Sequence, residues 1–505
     1  MDVLMGIDIG TSSCKLAVFD ENGEVVATET EKYPVFHKGD GRVEQDPEDW
    51  WTHVCAATRR IMASDRMRAA NLRGIGIDGQ GWSMIPIDRT GSVVYPNPIW
   101  MDTRATDVCA EAKGRIGEEL IFEVCGNPME PTYTLPKILW LKKHEPDVYA
   151  RIDKVLQANS FIVYKLTGEI TQDISQGYGL QCFDIRKGTW DEGLCAEFGI
   201  SPDILPPICN SDVVVGGVSA IAAEESGLPV GTPVVAGGMD AACGTLGSGV
   251  ISPGETQEQG GQAEGMSICL DSYVADPRLI MGYHVVPGLW LLQGGTVGGG
   301  GVIDWAKDNL CFEEKITSGL QGTNAYHEMN LAVDSIPAGS DGVVFLPYMR
   351  GERSPIWNPH AKGVYFGLSF DRTKAHMLRA AYEGIAFSLK HNLDIAEAAG
   401  AEVDSLWAMG GSANSNTITQ IKADVTGKKI FVAASDTATT LGAALLAGVG
   451  VGMYASYQEA KEKAVRVRAT YTPDPEKAAA YDRAYKTYLD LYEHLEDMMV
   501  KDGLG

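Results

Sequence analysis

The first twenty residues predict a β-hairpin that closes around a short polar turn. Apolar, β-prone residues run from Val3 to Ile9 and again from Lys15 to Phe19, and the five residues between them are small or polar. Two such runs joined by a few residues that include glycine are typical of paired antiparallel strands. The turn therefore gathers its polar groups at one end of a sheet.

The residues of this turn suit a phosphate and a metal ion. Gly10 lets backbone N–H groups crowd around an anion. Thr11 and Ser12 add hydroxyl donors, Lys15 adds a positive charge, and Asp8 is a carboxylate suited to Mg²⁺. The combination predicts a site for the polyphosphate end of a nucleotide. A tight hairpin with ordinary polar turn residues is the alternative.

Length and charge bound the class of protein. At 505 residues the chain is too long for one ordinary core and predicts roughly two to four domains. A formal net charge of −25 argues against a nucleic-acid partner, because phosphate backbones attract basic surfaces. An acidic surface still permits nucleotide binding, since a local lysine, a metal ion and backbone amides set the field within a cleft.

Cysteine spacing and hydropathy indicate the cellular compartment. The ten cysteines show no C-x-x-C spacing and the nine histidines no metal-ligand spacing, which argues against a zinc site or a redox pair. The amino terminus has no basic region followed by an apolar run. No apolar segment approaches the ~20 residues that cross a bilayer. We expect no membrane partner and a cytoplasmic protein.

Strand-like and helix-like segments alternate through most of the chain, which indicates α/β architecture. Asp46 and Pro47 predict the start of a helix, because aspartate caps a helix and proline suits its first position. Around Gly254 the strand pattern restarts after a run of small residues. The sequence therefore predicts a boundary near residue 250, with one lobe over residues 1–250 and a second over residues 251–505.

Two common nucleotide-binding motifs are excluded. Residues 74–79 fit the dinucleotide pattern G-x-G-x-x-G, but the first glycines lie within a predicted strand over Leu72 to Ile77. The dinucleotide fingerprint requires a strand, a turn and a helix in that order, and no helix opens at Gly79. The chain contains no G-x-x-x-x-G-K-[ST], so it is not a P-loop enzyme.

Glycine-rich segments follow predicted strands in both halves. They cover residues 237–240, residues 294–301 after a predicted strand over Leu289 to Leu292, and residues 410–416. Such loops indicate a nucleotide held between two lobes, and phosphoryl transfer also needs a group that deprotonates the acceptor hydroxyl. Asp240 is placed to be that base, or to cap the helix that follows it.

An ordered set of segments along the whole chain resembles the FGGY family of carbohydrate kinases. The segments are Gly6 to Lys15, Gly237 to Asp240, Phe345 to Pro355, Gly363 to Glu383, Gly410 to Ala413 and Leu441 to Ala444. The third of them is typical of the branch that phosphorylates xylulose. The resemblance implies an α/β, two-lobed, actin-like (ribonuclease-H-like) fold with a nucleotide cleft between the lobes.

The resemblance also implies ATP-dependent phosphorylation of a sugar hydroxyl, of a pentulose such as xylulose, with Mg²⁺. Asp240 would take the proton from the acceptor and Asp8 would help to bind Mg²⁺. The implied nucleotide-binding positions are Gly10, Thr11, Ser12, Lys15, Gly261, Gly294, Gly295, Thr296, Gly410, Gly411, Ser412 and Asn414. The implied sugar-binding positions are Gln80, Trp82, Trp100, Asp102 and Arg104. Core packing of the tryptophans and an Asp102–Arg104 salt bridge are the alternatives.

The chain departs from the family pattern at three places, one of which is Thr437, where relatives often have a glutamate. The xylulose branch usually has Met-His after the glutamine at position 80, whereas this chain has Gly81 and Trp82. Gly261 stands where relatives have a threonine that meets the γ-phosphate, so backbone amides or Gln262 must substitute. One lost hydrogen bond to a charged group costs ~1.5–3 kcal/mol, which a working enzyme tolerates.

These departures leave alternatives open. One is a kinase for a polyol or another ketose, and another is a catalytically weak sugar-binding regulator on the same scaffold. The resemblance also leaves a homodimer open.

Overall fold

The computed structural model describes residues 1–435 and 437–501, which pack as two compact units. The first unit consists of residues 1–251, 271–291 and 437–466, and the second of residues 252–270, 292–435 and those from 467 onward. The predicted lobe boundary near residue 250 stays a prediction. Residues 271–291 and 437–466 follow this boundary in the sequence but pack with the first unit. The predicted second lobe ends at residue 505, and its last four residues and position 436 lie outside the described chain.

The described strands are β1 (Asp2–Ile9), β2 (Ser13–Asp20), β3 (Val25–Lys32), β4 (Phe36–Gly39), β5 (Arg42–Gln45), β6 (Asn71–Gly79), β7 (Ile85–Ile87), β8 (Asn97–Pro98), β9 (Lys154–Leu156), β10 (Gln172–Asp173), β11 (Phe183–Asp184), β12 (Thr189–Trp190), β13 (Ile208–Cys209), β14 (Val214–Gly217), β15 (Pro233–Val235), β16 (Gly238–Met239), β17 (Glu255–Gly260), β18 (Glu264–Leu270), β19 (Ile280–Tyr283), β20 (Trp290–Thr296), β21 (Val344–Leu346), β22 (Val364–Phe366), β23 (Ser405–Met409), β24 (Lys429–Ala433) and β25 (Val467–Tyr471).

The described α-helices are α1 (Pro47–Ala63), α2 (Asp65–Arg68), α3 (Thr106–Ile116), α4 (Glu118–Cys125), α5 (Thr134–His144), α6 (Pro146–Tyr149), α7 (Ala158–Thr167), α8 (Glu192–Phe198), α9 (Ala220–Ser226), α10 (Asp240–Gly247), α11 (Gly300–Asn309), α12 (Phe312–Gln321), α13 (Ala325–Asp334), α14 (Lys374–Ala398), α15 (Asn416–Thr426), α16 (Ala438–Gly450), α17 (Tyr457–Ala464) and α18 (Ala478–Lys501). Among the described residues, none of these helices is both long and apolar enough to cross a membrane.

The predicted hairpin forms the middle of the first unit's sheet and is confirmed. The strands run in the order β14–β15–β6–β1–β2–β3, and β16 also pairs with β6. The antiparallel β1–β2 pair sets Asp8 opposite Lys15, and the parallel β1–β6 pair sets Asp8 beside Asp78. Because side chains opposite each other share one face of a sheet, the register groups these three charged residues at the ends of their strands.

Helix α16 covers one face of this sheet at close range. A Cβ atom at Gly6 would lie 1.9 Å from the backbone oxygen of Thr440, and one at Gly76 would lie 1.9 Å from that of Ala443. Only glycine leaves room for a helix backbone at that distance. Residues 437–466 therefore complete the first unit although residues 292–436 separate them from its preceding segment.

The second unit is built on strands in the order β20–β18–β17–β23–β24–β25, with β20 contributing from Leu292 onward. Strands β17 and β18 form an antiparallel hairpin in which Gly260 lies opposite Glu264. Strand β23 pairs in parallel with β17 on its other side. The tip of this hairpin and the loop after β23 consequently lie at neighbouring positions along the sheet edge.

Local signals predicted some elements and misplaced one. Helix α1 begins at Pro47 after the Asp46 cap, whose side chain accepts a hydrogen bond from the backbone of Glu48. The predicted strand end at Leu292 is wrong, because β20 continues through Thr296 and α11 begins at Gly300. The glycines of β20 belong to the sheet: a Cβ at Gly295 would lie 2.9 Å from a backbone oxygen of Glu264 in β18.

Candidate active site

Asp8, near the end of β1, lies in a cluster of charged groups in the first unit. Its carboxylate is buried, and its Oδ2 accepts a hydrogen bond from Thr439 Oγ1 at 3.2 Å. Lys15 Nζ lies 3.9 Å from the same oxygen and more than half of the lysine side chain is exposed. Burial raises the pKa of Asp8, and the charge of Lys15 opposes that rise. A buried acid is thus paired with an ammonium that a ligand can reach.

Asp78 is a second buried carboxyl that the sequence reasoning did not assign to the site. It lies in register with Asp8 on β6 and is completely buried. Neither of its oxygens has a hydrogen-bond donor among residues 1–435 and 437–501. Burial and the negative charges of Asp8 and Asp240 raise the pKa of Asp78 well above its ordinary value. Its carboxyl can hydrogen-bond with that of Asp8 when one of the two holds a proton.

Asp240 is the first residue of α10, directly after β16. Because β16 pairs with the end of β6, Asp240 follows a segment that lies beside Asp78. Its Oδ1 accepts a hydrogen bond from the backbone N–H of Ala241 at 2.7 Å. Burial and the negative charge of Asp8 raise the pKa of Asp240 to about 7. A carboxylate with this pKa can take up a proton at neutral pH.

The turn between β1 and β2 is held by hydrogen bonds and keeps two of its predicted donors, Ser12 and Lys15, accessible. Gly10 N–H donates to Ser13 O at 3.1 Å, and Gln45 Nε2 donates to Thr11 O at 2.8 Å. Ser12 and Lys15 are exposed. The turn therefore offers a hydroxyl and an ammonium to a ligand, as an anion site requires.

Two of the predicted sugar-binding residues form a hydrogen-bonded chain beside this turn. Trp100 Nε1 donates to Thr11 Oγ1 at 3.0 Å, and Thr11 Oγ1 donates to Gln80 Oε1 at 3.3 Å. Gln80 Nε2 donates in turn to Gln45 Oε1 at 2.8 Å. Gln80 is buried, whereas Trp100 is 36% exposed. The hydrogen bond from Nε1 thus fixes the orientation of the Trp100 indole, and part of the ring stays accessible.

Trp82 belongs to an aromatic cluster that the sequence did not predict. Its ring lies edge-on to Tyr133 at 4.7 Å and to Tyr178 at 6.3 Å between centroids. Its φ is 60°, a left-handed conformation that costs energy for any residue but glycine and is concentrated at functional sites. Lys137 Nζ donates to the backbone oxygen of Trp82 at 2.8 Å and stabilises this loop. Tyr133 and Tyr178 are buried, so within this cluster only the partly exposed ring of Trp82 has a surface that suits the apolar face of a sugar.

Asp102 and Arg104 bind each other inside the first unit. Arg104 Nε donates to Asp102 Oδ1 at 2.9 Å and its Nη2 to Asp102 Oδ2 at 2.7 Å. Arg104 Nη2 also donates to Glu44 Oε1 at 2.6 Å, and Val43 N–H donates to Asp102 Oδ2 at 2.7 Å. This buried network contains the Asp102–Arg104 salt bridge, which the sequence analysis gave as the alternative to sugar binding. A direct contact of either residue with a sugar stays a prediction.

The second unit contains a cavity of about 790 Å³, within the range of small-molecule sites. Four predicted nucleotide-binding residues line it, namely Gly261, Gly411, Ser412 and Asn414. Other lining residues include Gln262, Gly300, Asp304, Asn324, Tyr326, Asn330, Tyr382 and the first residues of α15. The cavity thus joins the tip of the β17–β18 hairpin with the loop after β23.

The remaining predicted nucleotide-binding residues lie elsewhere. Gly10, Thr11, Ser12 and Lys15 belong to the first unit, and Gly294, Gly295, Thr296 and Gly410 do not line the cavity. Gly295 N–H donates to Ser354 Oγ at 2.6 Å, and Thr296 Oγ1 donates to Glu352 Oε2 at 2.5 Å. These bonds tie β20 to residues 352–354. The predicted nucleotide contacts at these positions, and the predicted cleft, stay predictions.

The two groups that were expected to replace a phosphate-binding threonine both have protein partners. Gln262 Nε2 donates to Asp304 Oδ2 at 2.7 Å, and Gly261 N–H donates to Ala263 O at 3.0 Å. Tyr326 and Lys307 also donate to Asp304, so Gln262 is part of a network on the cavity wall. The side-chain amide of Gln262 retains a second hydrogen for a ligand.

The carboxyls of the first unit fit a divalent cation that arrives with a nucleotide. Within the described chain, no group of three or more His, Cys, Asp or Glu side chains is placed to hold a metal ion. Mg²⁺ in phosphoryl-transfer sites is commonly bound by one or two carboxylates together with substrate phosphates. Asp8 Oδ1 and both oxygens of Asp78 are buried without donors from the described residues. Such acceptors are suited to a cation.

The family models for FGGY carbohydrate kinases match most of the chain, the N-terminal domain over residues 3–247 and the C-terminal domain over residues 272–451. The chain belongs to the FGGY family of carbohydrate kinases. The xylulose kinase of Bacillus subtilis (strain 168) is 30% identical over 504 residues, 99% of this chain and 98% of the relative. The autoinducer-2 kinase of Salmonella paratyphi A (strain ATCC 9150 / SARB42) is 31% identical over 518 residues, 99% of this chain and 96% of the relative.

Among solved structures, the xylulose kinase from Rhodospirillum rubrum superposes with a TM-score of 0.91 at 29% identity. The match covers 99% of this chain and 100% of that chain. The predictions of an actin-like fold and of a phosphotransferase acting on a sugar are therefore confirmed for this FGGY kinase. FGGY kinases use ATP as the phosphate donor, generally with a metal ion. The individual sugar, Mg²⁺, the compartment and the oligomeric state stay predictions.

Proposed function

We propose that this FGGY kinase transfers the γ-phosphoryl group of ATP to a hydroxyl of a pentulose such as xylulose, with Asp240 as the general base. The observation that carries this proposal is the environment of Asp240. Its pKa is raised to about 7 by burial and by the charge of Asp8. A general base works best when its pKa is near the working pH. Asp240 can then take the hydroxyl proton as the sugar oxygen attacks phosphorus and ADP leaves.

The other charged groups of the first unit would bind the transferred phosphoryl group. Lys15 and the hydroxyl of Ser12 are accessible donors for phosphate oxygens, whereas the hydroxyl of Thr11 donates to Gln80 Oε1. Asp8 and Asp78 would hold Mg²⁺, for which their unpartnered oxygens are suited. When bound, Mg²⁺ neutralises phosphate charge as it develops in the transition state. In this proposal the carboxyls of Asp8 and Asp78 bind the cation and Lys15 binds the phosphate.

The cavity of the second unit supports ATP as the donor. Its size suits a nucleoside, and Gly261, Gly411 and Ser412 place backbone and hydroxyl groups along its wall. Asp304, held by Gln262 and Lys307, supplies a carboxylate on the same wall. A carboxylate in such a position is able to accept hydrogen bonds from ribose hydroxyls.

A pentulose is supported by the relatives and by the aromatic groups of the first unit. The proteins that resemble this chain over its full length include xylulose kinases. The accessible ring of Trp100 and the partly exposed ring of Trp82 offer apolar faces, and Gln80 lies near them. Planar amides and aromatic faces together are common in sugar sites.

Another hydroxyl-bearing substrate is the second candidate. Gly81 and Trp82 replace the residues that are usual in the xylulose branch. A relative named autoinducer-2 kinase is as similar to this chain as the xylulose kinases are. Identity near 30% therefore does not select the sugar, and a polyol or another ketose remains an alternative substrate.

The experiment is a coupled ADP-release assay with Mg²⁺–ATP and a panel of pentuloses, hexuloses, aldoses and polyols. We expect one sugar to give strong turnover and Asp240→Asn to lower kcat by roughly a thousandfold, with ADP affinity changed by less than about threefold. Asp203→Asn, an exposed aspartate of the same unit, is the matched control and should retain full activity.

Two outcomes would contradict the proposal. If Asp240→Asn keeps turnover within about tenfold of the parent, Asp240 is not the base. If the whole panel is silent while calorimetry detects sugar binding, the chain is a binding protein on a kinase scaffold.

A further inference from the structure

Lys422, Glu258 and Glu264 form a buried ion-pair cluster in the second unit that the proposed reaction does not use. Lys422 Nζ donates to Glu258 Oε1 at 2.8 Å and to Glu264 Oε1 at 2.7 Å. A third bond reaches Ser412 Oγ at 3.3 Å. The three charged side chains are between 1% and 3% exposed. Because an ammonium has three donor hydrogens, these partners occupy all of them.

Each partner of Lys422 belongs to a different segment of the cavity wall. Glu258 lies on β17, two residues before Gly260, and Glu264 begins β18 opposite Gly260. Ser412 lies in the loop after β23, and Lys422 itself lies on α15, whose first residues line the same cavity. One ammonium therefore connects the hairpin, the loop and the helix that together form the wall.

Stability alone does not explain this cluster. Taking charges out of water is costly, and replacing a buried ion pair by apolar residues of similar volume is often neutral or stabilising. Here two carboxyls share one ammonium, and Glu264 Oε2 has no hydrogen-bond donor among the described residues. Burial raises the pKa of Glu264 to about 7, against the charge of Lys422. Burying this cluster therefore costs more free energy than apolar side chains of the same volume would. That cost points to a requirement for a fixed geometry of the segments that the cluster joins.

The segments that Lys422 joins touch each other at the cavity. A Cβ atom at Gly260 would lie 1.5 Å from Ser412 Oγ, and one at Gly410 would lie 2.6 Å from the backbone oxygen of Gly260. Segments packed this closely are restricted in their independent movement. A displacement of either segment would move the residues that line the cavity on both sides.

We propose that Lys422 is a positioning residue of the nucleotide pocket, holding the β17–β18 hairpin and the Ser412 loop at the spacing that nucleotide binding requires. This inference rests on the proposed function, in which the cavity of the second unit binds ATP. Lys422 acts through Glu258, Glu264 and Ser412 and does not itself line the cavity. Sites whose supporting residues are loosened by about 1 Å lose affinity without losing their ligand-binding groups.

The test is Lys422→Met in the full chain, which keeps most of the unbranched side chain and removes the three donor bonds. We expect the Kd of ADP, measured by titration calorimetry, to rise at least about tenfold (1.4 kcal/mol), while the KM of the sugar changes less than about twofold. Circular dichroism melting verifies that the variant is folded at the assay temperature.

The matched control is Arg379→Met. Arg379 is also a buried cation of the second unit, with Glu383 and Tyr481 as partners, and none of these three lines the cavity. We expect its melting temperature to fall while the Kd of ADP stays within about twofold of the parent. A merely structural role for Lys422 would give the same pattern in both variants.

The remaining outcomes are also decisive. A folded Lys422→Met variant with the parent's ADP affinity overturns the inference. If Lys422→Met does not fold, the variant that combines it with Glu258→Gln and Glu264→Gln removes the unpaired carboxylates and is judged by the same Kd criterion. A parent protein that binds no ADP would instead overturn the proposed function, so the two failures are distinguishable.

Discussion

At the scale of single residues, the candidate site depends on acidic side chains that are buried away from water. Asp8, Asp78 and Asp240 lie within electrostatic reach of each other, and the pKa of each is raised by burial. Such a cluster opposes folding at neutral pH, because every ionised carboxylate repels the others. Active sites commonly retain groups that lower stability when the chemistry needs them.

The titration of Asp240 gives a prediction with a defined sign. Its pKa rises from an ordinary value near 4 to about 7 in the folded chain, so the folded state holds a proton between these values that the unfolded state has lost. Stability therefore falls as the pH rises through this window. We expect Asp240→Asn to be more stable than the parent at pH 8, by at most about 4 kcal/mol, and the difference to vanish near pH 4.

The same titration governs activity, because the base must be ionised. We expect kcat/KM of the parent to rise with pH through about 7 and then level off. Urea unfolding at pH 4, 6 and 8 and a pH–rate profile measure the two effects. A parent and an Asp240→Asn variant with identical stability at pH 8 would show that the carboxyl is not destabilised by its surroundings.

Sequence reasoning predicted those residues of the candidate site that a local pattern marks. Asp8 and Asp240 each lie two residues from a glycine near a strand end, and Lys15 follows the turn after Asp8. The structure places all three in one charged cluster. Asp78 was missed because its role depends on β6 pairing with β1, and strand order is not a local property of the sequence. Tyr133 and Tyr178 were missed for the same reason, since their contact with Trp82 is tertiary.

At the scale of elements, helix α5 connects two loops that carry predicted sugar-binding residues. Lys137, completely buried on α5, donates to the backbone oxygens of Trp82 and Ile99 at 2.8 Å each. The first oxygen belongs to the loop after β6 and the second precedes Trp100. One lysine side chain thus connects the two tryptophan-bearing loops.

We expect Lys137→Met to weaken sugar binding selectively. The change leaves the backbone oxygen of Trp82 without a donor, at about 1–3 kcal/mol, and removes one of the two donors to the backbone oxygen of Ile99. It therefore loosens the loops that carry Trp82 and Trp100. The KM of the sugar should rise at least about tenfold, whereas the Kd of ADP should stay within about twofold. Steady-state kinetics with the sugar identified by the panel and calorimetry with ADP provide the two values.

Lys143→Met is the matched control for this prediction. Lys143 lies on the same helix but is exposed and pairs with Glu111 at the surface. Exposed ion pairs contribute little to stability, so this variant should bind sugar and ADP as the parent does. An unchanged sugar KM in a folded Lys137→Met variant would show that the loops keep their spacing without the lysine.

Element prediction succeeded where a boundary is set by neighbours in sequence. The Asp46 cap and Pro47 determine the start of α1 through one hydrogen bond and one fixed torsion angle. The end of β20 was misplaced because glycines normally weaken a strand, whereas here they permit close packing against β18. The contact that determines where β20 ends is made with β18, which is distant in the sequence.

At the scale of the whole molecule, the chain contributes to the first unit in three separate segments. Length and pattern predicted a multi-domain α/β chain, and the motifs along it predicted the actin-like fold. The return of residues 437–466 to the first unit was not predicted. It depends on the match between the glycines of β1 and β6 and the backbone of α16, which only the folded chain reveals.

We expect residues 1–251 alone not to fold cooperatively, because they lack α16, whose buried face covers β1 and β6. Fusing residues 437–466 to this fragment should restore cooperative melting by circular dichroism. A glycine-serine linker of about six residues is sufficient, since a Cβ at Gly247 in α10 would lie 1.9 Å from the backbone oxygen of Ala438. A scrambled 437–466 segment is the control. Cooperative melting of residues 1–251 without the fusion would show that α16 is dispensable for the first unit.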